Sequence, residues 1–529
     1  MLSKHKTKIL ALVVFSLLMT MLSACSGKDE EEAPLPEIPE AVTESKTYYA
    51  ADNVFSLNSD KDYSFNPFST TSTSNILCTQ LMYDNIFNVD EAFEVTPVMI
   101  TDYSSEDGKS WRFTVDNDIK FWDGSTLTAS DVSYSIQRAM RSPQFKSRLS
   151  IIMGVSAIDE SLFIINLYNP DMLFPALLNI PVIKNGSVGD NIPMGTGPYI
   201  LNEELTELTA FPSHRLYNSL PLEKIHIKEF KDIESAITAF ENSEIDLVTN
   251  DPTSFFSLGY SSANEIRYFP TTNMHYIGFN SSSRFFSNPL CRKAMTYVVD
   301  REHIVNDILK GSGTVTTLPM SPNCQYYNSK YSDTISYSAK KSESAFDLAN
   351  VKDFDDDGLR EILITGINVE VDPPLDFIVC SDSSMKVAAA RSIADNLTSL
   401  GINVALRELS WEDYRNALAG GKFDMYYAET KLSADFSLRS LLTEGGSLNY
   451  GKFTDATVTD YINGYLSAND ENRQTAADLM FQCITDSAPI VPICFEKQQV
   501  ITHRGVISGL KPTQYNIFNG IENWEVSLD

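Results

Sequence analysis

The sequence predicts an α/β protein with mixed sheets flanked by helices, and three observations predict it. Segments with apolar residues at helical spacing alternate along the chain with short runs that alternate as strands do. The chain has 529 residues, 43% hydrophobic and 21% charged, which supplies core for two large lobes or for three to four smaller units. No repeat with a period of 20–50 residues is evident, which argues against solenoids and propellers.

Tyr48-Tyr49-Ala50-Ala51 opens the globular part as an expected strand. Residues 74–87 carry Ile76, Leu77, Leu81, Ile86 and Phe87 at helical spacing and read as one helix. Trp111-Arg112-Phe113-Thr114-Val115 alternates as a strand. Asp123-Gly124 is a tight-turn signal. Thr128, with an acid three residues on at Asp131 and then Val132, Ile136 and Met140, marks a helix start. Residues 233–240 read as a helix and 244–248 as a strand; 289–299 and 301–310 read as two helices parted near Asp300. Val387, Ala390, Ala394, Leu397 and Leu400 line one helical face, which Gly401 ends. A strand at 402–406, a helix at 411–418 and a strand at 423–427 follow.

The first 25 residues carry an address. Lys4, Lys6 and Lys8 precede an apolar run over 9–22, too short for a permanent span of about 20 residues but suited to a secretory signal. Leu22-Ser23-Ala24-Cys25 resembles the bacterial lipoprotein box, which implies removal of residues 1–24 and lipidation of Cys25. Residues 25–46, with Asp29-Glu30-Glu31-Glu32 and Pro34, Pro36 and Pro39, cannot bury a core and read as an acidic tether. This places the body outside the cytoplasmic membrane, on its outer face.

Composition excludes several functions. Lys+Arg 41 against Asp+Glu 70 gives a net charge of −29, which repels nucleic-acid phosphates and anionic lipid. Beyond Cys25, the cysteines Cys78, Cys291, Cys324, Cys380, Cys483 and Cys494 form no CxxC and have no zinc spacing with a histidine. Their even count permits disulfides; their scatter suits buried free thiols. No HExxH, GxSxG or P-loop pattern occurs, and no catalytic residue is assigned.

Six segments, read together and in order, resemble the extracytoplasmic solute-binding proteins of ABC importers for oligopeptides and dipeptides, solute-binding protein family 5. They are residues 81–87, 120–135, 195–199, 292–301 with Gly311, 353–361 and 489–492. The resemblance implies a two-lobed, periplasmic-binding-protein-like fold of type II, cluster C, with a hinge. Lobe I would hold 47–270, with 498–529 returning to it, and lobe II 271–497. The chain would cross near 268–278 and 495–501. The function implied is a non-enzymatic, monomeric lipoprotein without a cofactor. It would capture a small solute, foremost an oligopeptide, in the interlobe cleft and deliver it to the permease subunits of an ABC transporter. A surface peptide-sensing receptor of the same fold, or a binder of a sugar or metal chelate, stands as the alternative. A carboxylate-pair hydrolase is a third reading.

The resemblance also points to residues. Trp411 matches a tryptophan that lines the cleft in peptide-binding relatives; a core tryptophan at a helix start is the other reading. Ala434-Asp435-Phe436 resembles an Ala-Asp-aromatic stretch whose aspartate pairs with a peptide's α-amino group. Here two extra residues precede it and the usual proline is missing, so a surface or capping role stays open for Asp435. Glu429 and Lys431 share that segment, and Asn449 and Tyr450 follow the Gly445-Gly446 turn as further ligand candidates. Asp353, Asp355, Asp357 and Glu361 place carboxylates at alternating positions around Gly358, a pattern for a structural Ca²⁺ or for a solvated acidic turn. A full EF-hand is excluded, because its twelfth position falls on Ile364.

Overall fold

Local chemistry sets the first elements. Asp131 Oδ2 accepts the Thr128 N–H at 3.0 Å and the Thr128 hydroxyl at 2.6 Å, and this box opens the helix Ala129–Ala139. Gly124 holds φ +81° in the turn before it. The computed structural model describes residues 54–253, 258, 261–362 and 374–528, all within one compact unit, Thr47–Asp529. The signal-like run, Cys25, the acidic stretch and the strand expected at 48–51 lie outside the described residues.

Two cores organise the molecule as two lobes. The first draws its buried residues from 55–269 and from 500–524. It is covered by a four-stranded sheet in the order Ser56–Ser59, Lys224–Glu229, Glu207–Ala210, Tyr199–Leu201, and by a second in the order Ile100–Ser104, Ser110–Val115, Leu162–Leu167, Ile152–Ala157. The second lobe has apolar clusters on both faces of its sheet, drawn from 274–495, with Val89, Phe93 and Ala176 of the first lobe packing in.

One sheet runs through both lobes. Its strands are β1 (Leu247–Asn250), β2 (Asn264–Phe279), β3 (Gly313–Val315), β4 (Leu375–Cys380), β5 (Val404–Leu409), β6 (Met425–Lys431) and β7 (Ile490–His503). The order is β1-β7-β2-β6-β4-β5, with β3 on β7. β2 and β7 pair antiparallel from Asn264↔His503 to Gly278↔Ile490, and the register breaks between Pro270 and Met274. Pro270 has no N–H for the ladder. Past it, Thr271 donates its hydroxyl to Glu496 O at 2.7 Å, and the Thr272 N–H goes to Gln514 Oε1 at 2.9 Å. These bonds fix two chain crossings side by side. Gly278 is required farther along, since a Cβ there would lie 2.1 Å from the Tyr426 ring.

The second lobe is wound both ways about β4, which pairs parallel with β5 on one side and β6 on the other. Helix α1 (Ser384–Ser399), capped by Ser383, buries Val387, Ala390, Ile393 and Leu397 on one sheet face. Helix α2 (Trp411–Gly420), capped by Ser410, buries Tyr414, Ala417 and Leu418 on the other. Strand succession therefore reverses direction at the carboxyl end of β4, and such a point leaves a crevice between the two helix starts.

The structure corrects several boundaries. The helix expected over 74–87 is Thr73–Met82, because Ile86 and Phe87 donate their N–H groups to Ile180 O and Leu178 O instead. The strand expected at 244–248 begins at Leu247, after a turn with Ser243 at φ +60°. The strand expected at 423–427 runs Met425–Lys431, and that at 402–406 runs Val404–Leu409. The second of the two helices near Asp300 is Arg301–His303 followed by a π-turn over Ile304–Ile308. All six cysteines beyond Cys25 are free. Among the described residues, no helix is long and apolar enough to cross a membrane.

Candidate ligand-binding site

Three polar residues gather from the adjacent strands β2, β6 and β7. His275 is paired across the ladder with Glu429, and Glu496 lies two residues past Cys494, the other neighbour of His275. Asn273 Nδ2 donates to Glu496 Oε2 at 2.6 Å and to Glu429 Oε1 at 3.2 Å. Lys386, in the first turn of α1, pairs with Glu429 Oε2. Burial works to raise the Glu429 pKa, but Lys386 and then His275 outweigh it and hold the carboxyl below its ordinary value. Burial pushes the Glu496 carboxyl up.

A second cluster joins the lobes. Asp435 is 2% exposed and accepts from the Ser437 N–H at 3.0 Å and the Ser433 hydroxyl. Asp171 of the first lobe, fully buried, lies against it; burial and then the Asp435 charge push the Asp171 pKa well above the carboxylate range. Arg439 stands beside both and donates to Pro170 O across the gap at 2.9 Å. The Met172 N–H reaches Leu466 O at 2.7 Å, and Phe93 packs edge-on against Phe436 at 5.0 Å. The lobes are therefore closed on each other here. Asp171 Oδ2, Arg439 Nη1 and Arg148 Nε are buried without hydrogen-bond partners.

Lys431 identifies a recess beside this cluster. Water reaches its side chain, yet burial, followed by the Arg148 charge, lowers its pKa. A group that solvent touches but protein surrounds lines a cleft wall. Arg148 and Tyr515 share this character: both are only partly covered, but burial lowers the arginine and raises the tyrosine to about 12.

The remaining candidates fall elsewhere. Trp411 is 55% exposed at the start of α2, stacked on Tyr414 at 6.4 Å with the Arg415 guanidinium 5.9 Å from its ring centre. It stands at the crevice end of the sheet. Asn449 spends its amide inside its own loop, on Thr443 O, Phe453 O and the Phe453 N–H. Tyr450 packs edge-on against Tyr426, and the next residue, Gly451, abuts Phe279, the last residue of β2. Asp353, Asp355, Asp357 and Glu361 do converge, with ligand oxygens within 4.8 Å of one another. Their carboxylates accept N–H groups of the same loop, for example Gly358 N–H on Asp353 at 2.9 Å. Separately, the first lobe holds a cavity of about 750 Å³ lined by Gln80, Asp84, Arg215 and Lys511, sharing no residue with the interlobe cluster.

Arg148, Asp171, Lys386 and Arg439 left no signal in the sequence. His275 did leave one, since it interrupts the apolar run Met274-His275-Tyr276-Ile277; Glu496 left none, since it opens the polar stretch Glu496-Lys497-Gln498-Gln499. A polar residue inside such a run is buried, and it needs a partner or a task.

The chain is similar in sequence and fold to several known binding proteins. The oligopeptide-binding protein AppA of Bacillus subtilis is 22% identical over 435 residues, covering 77% of each chain. Its structure with a nonapeptide superposes with a TM-score of 0.62 at 19% identity, over 89% of this chain and 98% of that one. The periplasmic murein peptide-binding protein MppA of Escherichia coli is 21% identical over 82% of this chain and 86% of its own. Its unliganded open form gives a TM-score of 0.71 at 19% identity, over 91% and 99%. The glutathione-binding protein GsiB of Salmonella typhimurium is 23% identical over a shorter stretch, 50% of this chain and 55% of that one. The model of bacterial extracellular solute-binding proteins, family 5, matches residues 94–446. The chain is a member of that family, the bacterial extracellular solute-binding proteins of family 5, whose members are transport binding proteins rather than enzymes.

Proposed function

We propose that this protein captures an oligopeptide between its lobes and passes it unchanged to the permease of an ABC importer. Cys25 carries the lipid that holds it at the outer face of the membrane; the ordered signal, small residues and cysteine support this. The lobes, 47–270 with 498–529 and 271–497, close by bending at the two crossings beside Pro270 and Glu496.

The observation that carries the cargo reading is the Asp435–Asp171 pair. Two buried carboxylates from opposite lobes face each other with one oxygen unpartnered. A protonated amine between them satisfies both charges, which neither Arg439 nor a shared proton does fully. Lys431 and Arg148 give the recess positive charge for a carboxylate. An extended peptide offers both end charges and a regular run of backbone donors and acceptors. Trp411 supplies an aromatic wall indifferent to side-chain identity.

Native mass spectrometry of the purified protein, before and after mild denaturation, tests this. A ladder of short peptides released on denaturation is expected; one non-peptide mass overturns the cargo while sparing the fold.

A further inference from the structure

We propose that Glu429, His275 and Glu496 form a binding site for one divalent transition-metal ion of the zinc class. Three neighbouring strands, β6, β2 and β7, each contribute one of these side chains, so the donors sit on a rigid platform. His275 and Glu496 are 0% and 2% exposed. His275 Nε2 and Glu496 Oε1 have no hydrogen-bond partner. An unpartnered imidazole nitrogen that deep is costly unless something else engages it.

The distances discriminate between two readings. His275 Nε2 stands 3.7 Å from Glu429 Oε2 and 3.6 Å from Glu496 Oε2. Both exceed a hydrogen bond. Zinc–ligand lengths of about 2.0–2.1 Å set tetrahedral donor–donor separations at roughly 3.3 Å. The two histidine–carboxylate separations exceed that by a few tenths of an ångström, and all three donors lie within 4.8 Å of one another, so modest side-chain movement brings them onto one ion.

The surroundings have the required second layer. His275 Nδ1 lies 2.8 Å from the Tyr427 hydroxyl, which as acceptor leaves the Nε2 lone pair free. Asn273 orients both carboxylates. Mixed imidazole and carboxylate donors favour Zn²⁺, Ni²⁺ or Mn²⁺ over Ca²⁺. Glu429, partly exposed, gives the entry side, and three protein donors leave a coordination position toward it. Lys386 occupies the same Glu429 oxygen and is the competitor an ion displaces.

This stands independently of the peptide reading, since the probe is the metal alone. The mature protein, stripped with chelator and desalted, is titrated with ZnCl₂ and with CaCl₂ by calorimetry, with stoichiometry read by native mass spectrometry. One Zn²⁺ per chain is expected. Glu496→Gln should weaken its affinity at least tenfold, Lys386→Met should tighten it several-fold, and Asp355→Asn should leave it unchanged. Thermal unfolding in metal-free buffer verifies that each variant folds. No Zn²⁺ binding, or Zn²⁺ binding that Asp355→Asn abolishes and Glu496→Gln spares, overturns the proposal.

Discussion

The two charged clusters of the cleft are built on opposite plans. The hinge-end group of Asn273, His275, Lys386, Glu429 and Glu496 comes entirely from the second lobe's sheet and its first helix. The other group takes Arg148 and Asp171 from the first lobe and Asp435 and Arg439 from the second. It is assembled only where the lobes meet, and it leaves Asp171 Oδ2, Arg439 Nη1 and Arg148 Nε unpartnered, as the first group leaves His275 Nε2 and Glu496 Oε1. The contrast teaches that burial alone does not make a cargo site. Both clusters keep buried polar atoms without partners, so what separates them is that one is assembled within a single lobe and the other only where the two lobes meet.

The largest test of this contrast is Asp435→Asn. Removing one partner of a buried charge pair should weaken peptide affinity by about 2–5 kcal/mol in calorimetry. Unchanged affinity would take Asp435 out of the site. Next comes Asp171→Asn. The raised pKa of Asp171 means that its contribution is fully present below the ordinary aspartate value near 3.9 and fades as pH rises through the raised one. The variant should therefore gain melting temperature over the parent as pH increases. A pH-independent offset would contradict the shared environment of the pair. Trp411→Ala should cost about 0.5–1.5 kcal/mol of peptide affinity, the range of one aromatic contact; no change would place Trp411 outside the wall. The smallest effect is expected from Glu429→Gln, about 0–1 kcal/mol in peptide affinity, because Lys386 already neutralises a partly exposed carboxylate. A loss as large as that of Asp435→Asn would erase the distinction between the clusters.

Much of the framework was legible because it is local. The Thr128–Asp131 box, the Asp123-Gly124 turn, the face closed by Gly401 and the helix opening at Trp411 all rest on residues within a few positions of one another. The misplaced ends have a common cause. Ile86 and Phe87 suit a helix by spacing, but strand-like bonds to 178–180 decide their conformation. Those partners lie some 90 residues away, and no local pattern contains them. Asn449 shows the same limit for sites: its sequence neighbourhood pointed toward the cleft, while its amide is consumed by its own loop.

The sequence by itself determined the α/β alternation, the acidic charge, the family resemblance and the candidacy of Asp435, since each depends on residue type and short spacing. Tertiary structure alone decided that Asp171 faces Asp435 across the lobes and that Glu429, His275 and Glu496 converge from three strands. Those juxtapositions join residues up to 264 positions apart in the numbering of the chain. Only strand register and lobe closure, both products of packing, bring their side chains within reach.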